Sequence, residues 1–334
     1  MMRLPKFEYF APTTISTAVK LMGGAGMDGQ FVAGGTDLYP NMKRRQQTPR
    51  VVIGLEGIAA LKRISGDPLS AGLTIGAAVT LTELIENRKV RKYYPVVAEA
   101  ARLISTPLLQ NMGTIGGNLL LDTRCNYYDQ NYEWRRGIHF CLKKDGDTCW
   151  VAPGSKICWA VQSSDEVPVM IALGAGVKLV SAKGERTIPV AELYTEFDGI
   201  RYHTKEHGEL LTEIILPPTG HWRASYRKLR RRGSFDFPVL GVAACVWFEA
   251  DDETVREARL VLGAIAPHAM RVPEAEGMLV GRPLDDASIH AAATAAHAIA
   301  KPLDNTDFLM YWRKEMVRPF VEAALKDLRH PRKS

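Results

Sequence analysis

An α+β fold divided over more than one domain is what three features of the 334-residue chain predict. The last third runs from three consecutive strand candidates into helical patterns, the order expected of a sheet covered by packed helices. The first half interleaves short apolar runs with glycine turns. Neither of its two main glycine loops is a G-x-G-x-x-G between strand and helix or a loop ending in Gly-Lys-Ser/Thr, so a doubly wound nucleotide domain is disfavoured. The length also exceeds what one compact core usually organises.

In chain order, Ser16 to Met22 has helical spacing and reaches Gly23, Gly24 and Gly26; Gln30 to Ala33 is strand-like and runs into Gly34-Gly35-Thr36-Asp37. Val51 to Leu55 and Leu73 to Ala77 read as strands, Thr82 to Asn87 and Tyr94 to Ser105 as helices, and Pro107 breaks the pattern. From Asp122 to Val161 apolar periodicity is lost, which is uncommon inside a compact domain unless the stretch is disordered or functional. Its aromatics, Tyr127, Tyr128, Tyr132, Trp134, Trp150 and Trp159, argue against disorder. Apolar character returns at Val167 to Leu173, strands are expected at Val177 to Ser181 and Leu211 to Leu216, and Pro217-Pro218 ends the segment. Strands at Ala224 to Leu229, Val239 to Phe248 and Glu257 to Ala264 then precede helices at Glu274 to Leu279, Ala287 to Ala300 and Asp307 to Leu328. These boundaries divide the chain at 1–55, 56–219 with an insertion at 122–161, and 220–334.

Four of the five cysteines, Cys125, Cys141, Cys149 and Cys158, fall in the pattern-free stretch. The N-terminus lacks the apolar centre of a signal peptide and no apolar run is long enough to span a bilayer, so a cytoplasmic location is expected. In that compartment an odd set of cysteines suits thiolate ligation better than cross-linking, with Cys245 a buried strand residue. Four thiolates suit zinc or an iron–sulfur cluster equally well by softness. The separations, with 15, 7 and 8 residues between successive cysteines, contain no close C-x₂₋₄-C zinc pair and match no common ferredoxin spacing. His139 is an alternative ligand or a solvent-facing residue.

The net charge of +6 gathers at Lys43 to Arg45, Arg227 to Arg232 and the C-terminus, without a nucleic-acid module, so a solvated face or docking of an anionic partner is expected. Ser163, Ser164, His203, His207 and His221 form no hydrolase motif. In Val32-Ala33-Gly34-Gly35-Thr36-Asp37 the adjacent glycines let amides turn toward one concavity able to hold a pyrophosphate. Gly113-Thr114-Ile115-Gly116-Gly117-Asn118 offers a second set of amides.

Together the segments AGGTDL, GTIGGN, SSDEVPVMIALGAGVKL, LLTEIILP, YRKLRRRGSFDFPVLGVAA and LVLGAIAP resemble the FAD-binding medium chain of the xanthine dehydrogenase and carbon monoxide dehydrogenase family, from about Phe7 to Leu284. The resemblance implies a two-part FAD-binding region of the vanillyl-alcohol-oxidase type, followed by a C-terminal α+β domain. It implies FAD contacts from Val32, Ala33, Gly34, Gly35, Thr36 and Asp37, from Thr114, Ile115, Gly116, Gly117 and Asn118, and from Asp165. Ile104, Leu211 and Lys228 stand at flavin-lining positions of the family, where core packing, or for Lys228 a solvated charge, is the competing reading.

The cysteine insertion departs from the usual medium chain and resembles that of the 4-hydroxybenzoyl-CoA reductase branch, which carries a 4Fe-4S cluster. Cys125, Cys141, Cys149 and Cys158 are then its ligands. The branch implies a large subunit with molybdenum cofactor, a small subunit with two 2Fe-2S clusters, a dimer of heterotrimers, ferredoxin as electron donor, and no nucleic-acid or membrane partner. A zinc-stapled subunit of another molybdenum hydroxylase and a flavin-free interaction scaffold are the alternatives.

Overall fold

The computed structural model describes residues 3–195 and 198–329. Three sheets organise the chain. The first is parallel, in the order β1-β3-β2, from β1 (Glu8–Phe10), β2 (Gly29–Val32) and β3 (Val51–Gly54). The helix Ile15–Ala25 packs on it through Ala18, Val19 and Met22, with Thr14 capping its start by accepting the Thr17 amide at 3.1 Å. This helix continues through Gly23 and Gly24 and stops only at Gly26, whose φ of 52° leaves the helical region.

The second sheet is antiparallel, in the order β4-β5-β8-β6-β7, from β4 (Ile64–Ser65), β5 (Leu73–Gly76), β6 (Gly176–Ser181), β7 (Gly184–Pro189) and β8 (Leu210–Leu216). Between β5 and β6 the chain leaves the sheet to build helices Leu81–Glu86 and Pro95–Arg102 and the cysteine-bearing segment. The third sheet, antiparallel in the order β12-β11-β10-β9, contains β9 (Trp222–Leu229), β10 (Leu240–Phe248), β11 (Val255–Gly263) and β12 (Met270–Arg271).

Strand β10 explains its own composition. Leu240, Val242, Ala244, Val246 and Phe248 face the helices Asp286–Ile299 and Val317–Lys326, whereas Ala243 and the fully buried Cys245 join the core around helix Glu166–Leu173. Burial on both faces replaces strand alternation by a continuous apolar run. Helix Glu166–Leu173 is likewise buried at all eight positions, which is why its apolar stretch shows no one-sided stripe.

Two sequence expectations change. The single helix expected over Asp307 to Leu328 is two, Met310–Glu315 and Val317–Lys326. Pro319 has no amide to give the Glu315 carbonyl four residues earlier, so it is tolerated only in the first turn of a new helix. GTIGGN is not an open turn: Thr114 caps a short helix, Ile115–Leu119, by accepting the Gly117 amide at 3.1 Å.

The insertion is closed at its mouth by paired backbone hydrogen bonds between Arg124 and Val161, both 2.8 Å. Apart from the short helix Tyr132–Gly137 it is irregular, as its composition suggests, yet it is tied to both flanking regions. The Gln46 amide donates to the Tyr128 carbonyl on one side; Asn305 accepts the Asn126 amide at 2.8 Å and donates to the Trp159 carbonyl at 2.7 Å on the other. The basic C-terminal residues 330–334 lie outside the described residues.

Candidate functional site

A cavity of about 610 Å³ opens where the two glycine loops meet β8 and the start of helix Glu166–Leu173. That volume falls within the range of small-molecule and cofactor sites. Val32, Ala33, Gly34, Gly35, Thr36 and Asp37 line one wall; Thr114, Gly116, Gly117 and Asn118 line the next, with Ile104, Asp165 and Leu211 beyond them. Ile115 points away into the main core, and Lys228 stands behind Asp165 rather than on the wall.

The loops are pressed together. A Cβ on Gly34 would lie 1.6 Å from the Met112 carbonyl oxygen, and Gly35 adopts φ 70°, which favours glycine. Among the described residues the amides of Gly34, Gly35 and Thr36 donate no backbone hydrogen bond, so they are free to meet an anionic group in the cavity. The second loop works differently from the sequence expectation. Its amides are already engaged: Ile115 to Val79, Gly116 to Ala77, Gly117 to the Thr114 hydroxyl and Asn118 to Thr114. Its glycines therefore supply room, not donors; Gly116 sits against Ala77, where a Cβ would be 2.7 Å away. One free set of amides beside small-residue walls fits a pyrophosphate cofactor of the FAD type.

Asp165 is the anchor of the far wall. Its carboxylate accepts from Lys228 Nζ at 2.9 Å and from the Tyr226 hydroxyl at 2.8 Å, both on β9, and Lys228 also donates to the Leu103 carbonyl at 2.8 Å. The pair is almost wholly removed from solvent, so burial pushes the Asp165 carboxyl up and the Lys228 ammonium down while their attraction opposes both shifts. Asn118 ties the second glycine loop to this segment by accepting from the Ser164 hydroxyl at 2.6 Å. Glu166, fully buried with neither carboxylate oxygen hydrogen-bonded, is held well above its usual value by burial, then by Asp165.

The wall between cavity and insertion is charged, and sequence reasoning did not find it. Arg124 lines the cavity, pairs with Asp37 at 2.7 Å and Asp129 at 3.3 Å, and stacks on Phe237 at 3.9 Å. Asp122, also on the wall, accepts from Lys143 at 2.9 Å and from Tyr128 at 2.9 Å. Burial pushes Asp122 up, but Lys143 together with the hydrogen bonds from Tyr128 and Gln47 holds the carboxyl below its usual value. The only sequence signal was the charged pattern Asp122-Thr123-Arg124 immediately before Cys125.

Cys125 thus follows a cavity-lining residue. Cys125, Cys141 and Cys158 pack in one small apolar nest with Tyr128 and Ala160, and Cys149 is buried close enough to influence Cys158 electrostatically. All four are free thiols. Burial pushes Cys125 up to about 12 and Cys158 up to about 11, so loss of their protons calls for metal binding. The Ala160 amide donates to the Cys158 thiol at 3.4 Å, and the backbone amides of Tyr127 and of Lys143 and Lys144 favour the thiolates of Cys125 and Cys141 respectively. Such donors support thiolate charge. Among the described residues no three His, Cys, Asp or Glu side chains close around a single ion. A tetrahedral ion with sulfurs at about 2.3 Å would need them roughly 3.8 Å apart; a cluster that gives each thiolate its own iron spreads them wider. His139 is exposed at φ 61°, outside the nest.

Fold and cavity together define a flavin-binding subunit. Residues 5–219 match the FAD binding domain in molybdopterin dehydrogenase, and residues 224–328 match the CO dehydrogenase flavoprotein C-terminal domain. The chain belongs to the family of FAD-binding subunits of molybdenum hydroxylases. It is 29% identical over 325 residues to the carbon monoxide dehydrogenase medium chain of Hydrogenophaga pseudoflava, covering 96% of this chain and 97% of that one. It is 32% identical over 259 residues to an aldehyde oxidoreductase FAD-binding subunit of Escherichia coli, covering 75% and 79%. The solved carbon monoxide dehydrogenase of Hydrogenophaga pseudoflava lacking the Mo-pyranopterin moiety superposes with a TM-score of 0.80 at 28% identity, over 97% of this chain and 98% of that one. Among the described residues no helix is long and apolar enough to cross a membrane.

Proposed function

We propose that this chain is the β subunit of a 4-hydroxybenzoyl-CoA reductase, an oxidoreductase subunit that holds both FAD and a 4Fe-4S cluster. The observation that carries this reading is the set of four buried free cysteines, three of them in one nest, behind the charged wall of the flavin cavity. Flavin exchanges one or two electrons and a 4Fe-4S centre one, so the two groups together supply conversion between carriers.

The chain's own residues define the rest. Gly34, Gly35 and Thr36 present amides to the cofactor's anionic end, and Asp165, fixed by Lys228 and Tyr226, shapes the opposite wall. Arg124, paired with Asp37 and Asp129, and Asp122, paired with Lys143, form the charged wall on the side of the cysteines. Cys125, Cys141, Cys149 and Cys158 would hold the cluster. No catalytic residue for ring chemistry belongs to this reading. The substrate would bind a partner subunit with molybdenum cofactor, beside a small subunit with 2Fe-2S clusters, in a dimer of heterotrimers. Reduced ferredoxin would supply the two electrons that, with two protons, remove the ring hydroxyl as water and leave benzoyl-CoA.

The test is to incubate the anaerobically purified complex with reduced ferredoxin and 4-hydroxybenzoyl-CoA. Formation of benzoyl-CoA is expected, and Cys149→Ser should abolish one iron–sulfur signal while FAD is retained. A complex that leaves the thioester untouched and oxidises carbon monoxide, an aldehyde or a purine would overturn the assignment.

A further inference from the structure

We infer that Arg135 is the built-in counter-charge of the group held by the cysteines and sets how readily that group accepts an electron; this rests on the cluster reading above. Arg135 lies in the helix Tyr132–Gly137 and is fully buried, one of the two largest side chains removed from solvent among the described residues. A buried guanidinium ordinarily finds a carboxylate. Among the described residues Arg135 makes no ion pair, and its Nε and one Nη have no hydrogen-bond partner. Its other Nη donates to the Arg44 carbonyl at 2.9 Å, and the rings of Tyr132 and Phe140 lie 5.9 Å and 5.8 Å from it.

Ring faces and one carbonyl compensate only part of a buried cation's lost hydration. The helix end turns back onto the cysteine segment: the Phe140 amide donates to the Arg135 carbonyl at 2.6 Å, and Phe140, whose ring faces the guanidinium, directly precedes Cys141. Lys143, another buried cation of the insertion, is already paired with Asp122 at 2.9 Å, whereas Arg135 has no carboxylate partner among the described residues. Four thiolates around a cluster would give the unpaired guanidinium the negative charge it lacks. Each electron that enters makes the thiolate-ligated unit more negative by one charge, so a fixed cation beside it stabilises the reduced form and raises the midpoint potential.

The experiment is an electron paramagnetic resonance-monitored titration of the anaerobic complex with dithionite as reductant. It compares wild type, Arg135→Lys and Arg135→Gln, with iron, sulfide and FAD quantified in each. Arg135→Gln should lower the reduction equilibrium of the additional cluster at least tenfold, about 59 mV for one electron. Arg135→Lys should stay near wild type. Loss of the cluster in Arg135→Gln with retention in Arg135→Lys also supports a charge requirement. An unchanged midpoint in Arg135→Gln with the cluster present, or equal cluster loss in both variants, would overturn the inference. Wild-type protein without iron and sulfide would instead defeat the cluster reading on which it rests.

Discussion

Replacing Lys228 by Met probes an ion pair that joins the cavity wall to the C-terminal sheet. Its side chain is 1% exposed and that of Asp165 4% exposed, so Met leaves a carboxylate in a space closed to water. Breaking a buried pair by removing one partner typically destabilises by about 3–5 kcal/mol. The lower end applies here for two reasons: the Tyr226 hydroxyl still donates to Asp165 at 2.8 Å, and burial already favours protonation of that carboxyl. The Leu103 carbonyl also keeps a donor in Arg230 at 3.2 Å. The expected loss is therefore about 3 kcal/mol, and FAD should dissociate more readily because Asp165 lines its cavity. Urea unfolding of the flavin-loaded subunit followed by circular dichroism reads the stability. Asp165→Asn combined with Lys228→Met should lose less than the sum of the singles, with a coupling on the order of 1 kcal/mol. A Lys228→Met variant within about 0.5 kcal/mol of wild type, or strictly additive singles, would refute the reasoning.

Gly34→Ala should empty the cavity of FAD: a Cβ 1.6 Å from the Met112 carbonyl oxygen forces the two loops apart. Gly117→Ala, whose nearest contact would be the Thr114 hydroxyl at 3.1 Å, should retain most of it, as FAD per chain after gel filtration will show. Lys205, on the cavity wall and donating to the Glu206 and Glu209 carbonyls, is pushed down to about 8 by burial. Between that value and the unfolded lysine value near 10.4 the unfolded chain binds more protons than the folded one, so this group makes stability rise with pH across that window. The thermal midpoint of wild type relative to Lys205→Met should therefore climb from pH 8 to pH 10; a flat difference would exclude the effect.

What the sequence revealed follows from which forces leave a periodic trace. The apolar run of β10 and the strands of the C-terminal sheet were readable because burial of both faces writes itself into consecutive residues. The glycine loops were readable as a pair, but not the division of labour between them, since whether an amide is free depends on partners such as Val79 and Ala77 brought in from elsewhere. The division of the last helix is marked only by Pro319, because apolar spacing continues across it. The charged wall left only the local pattern Asp122-Thr123-Arg124, which names the charges but not their partners. Arg124 meets Asp37 across 87 positions, and Arg135 meets the Arg44 carbonyl across 91, and no local pattern encodes such pairings.

The most direct measurement is the metal, sulfide and flavin content of the anaerobically purified complex together with its low-temperature electron paramagnetic resonance spectrum. The account predicts stoichiometric FAD and, beyond the 2Fe-2S signals of a partner subunit, iron and acid-labile sulfide in the proportion of one 4Fe-4S cluster per chain. Zinc at Cys125, Cys141, Cys149 and Cys158, or four unliganded thiols beside bound FAD, would contradict it.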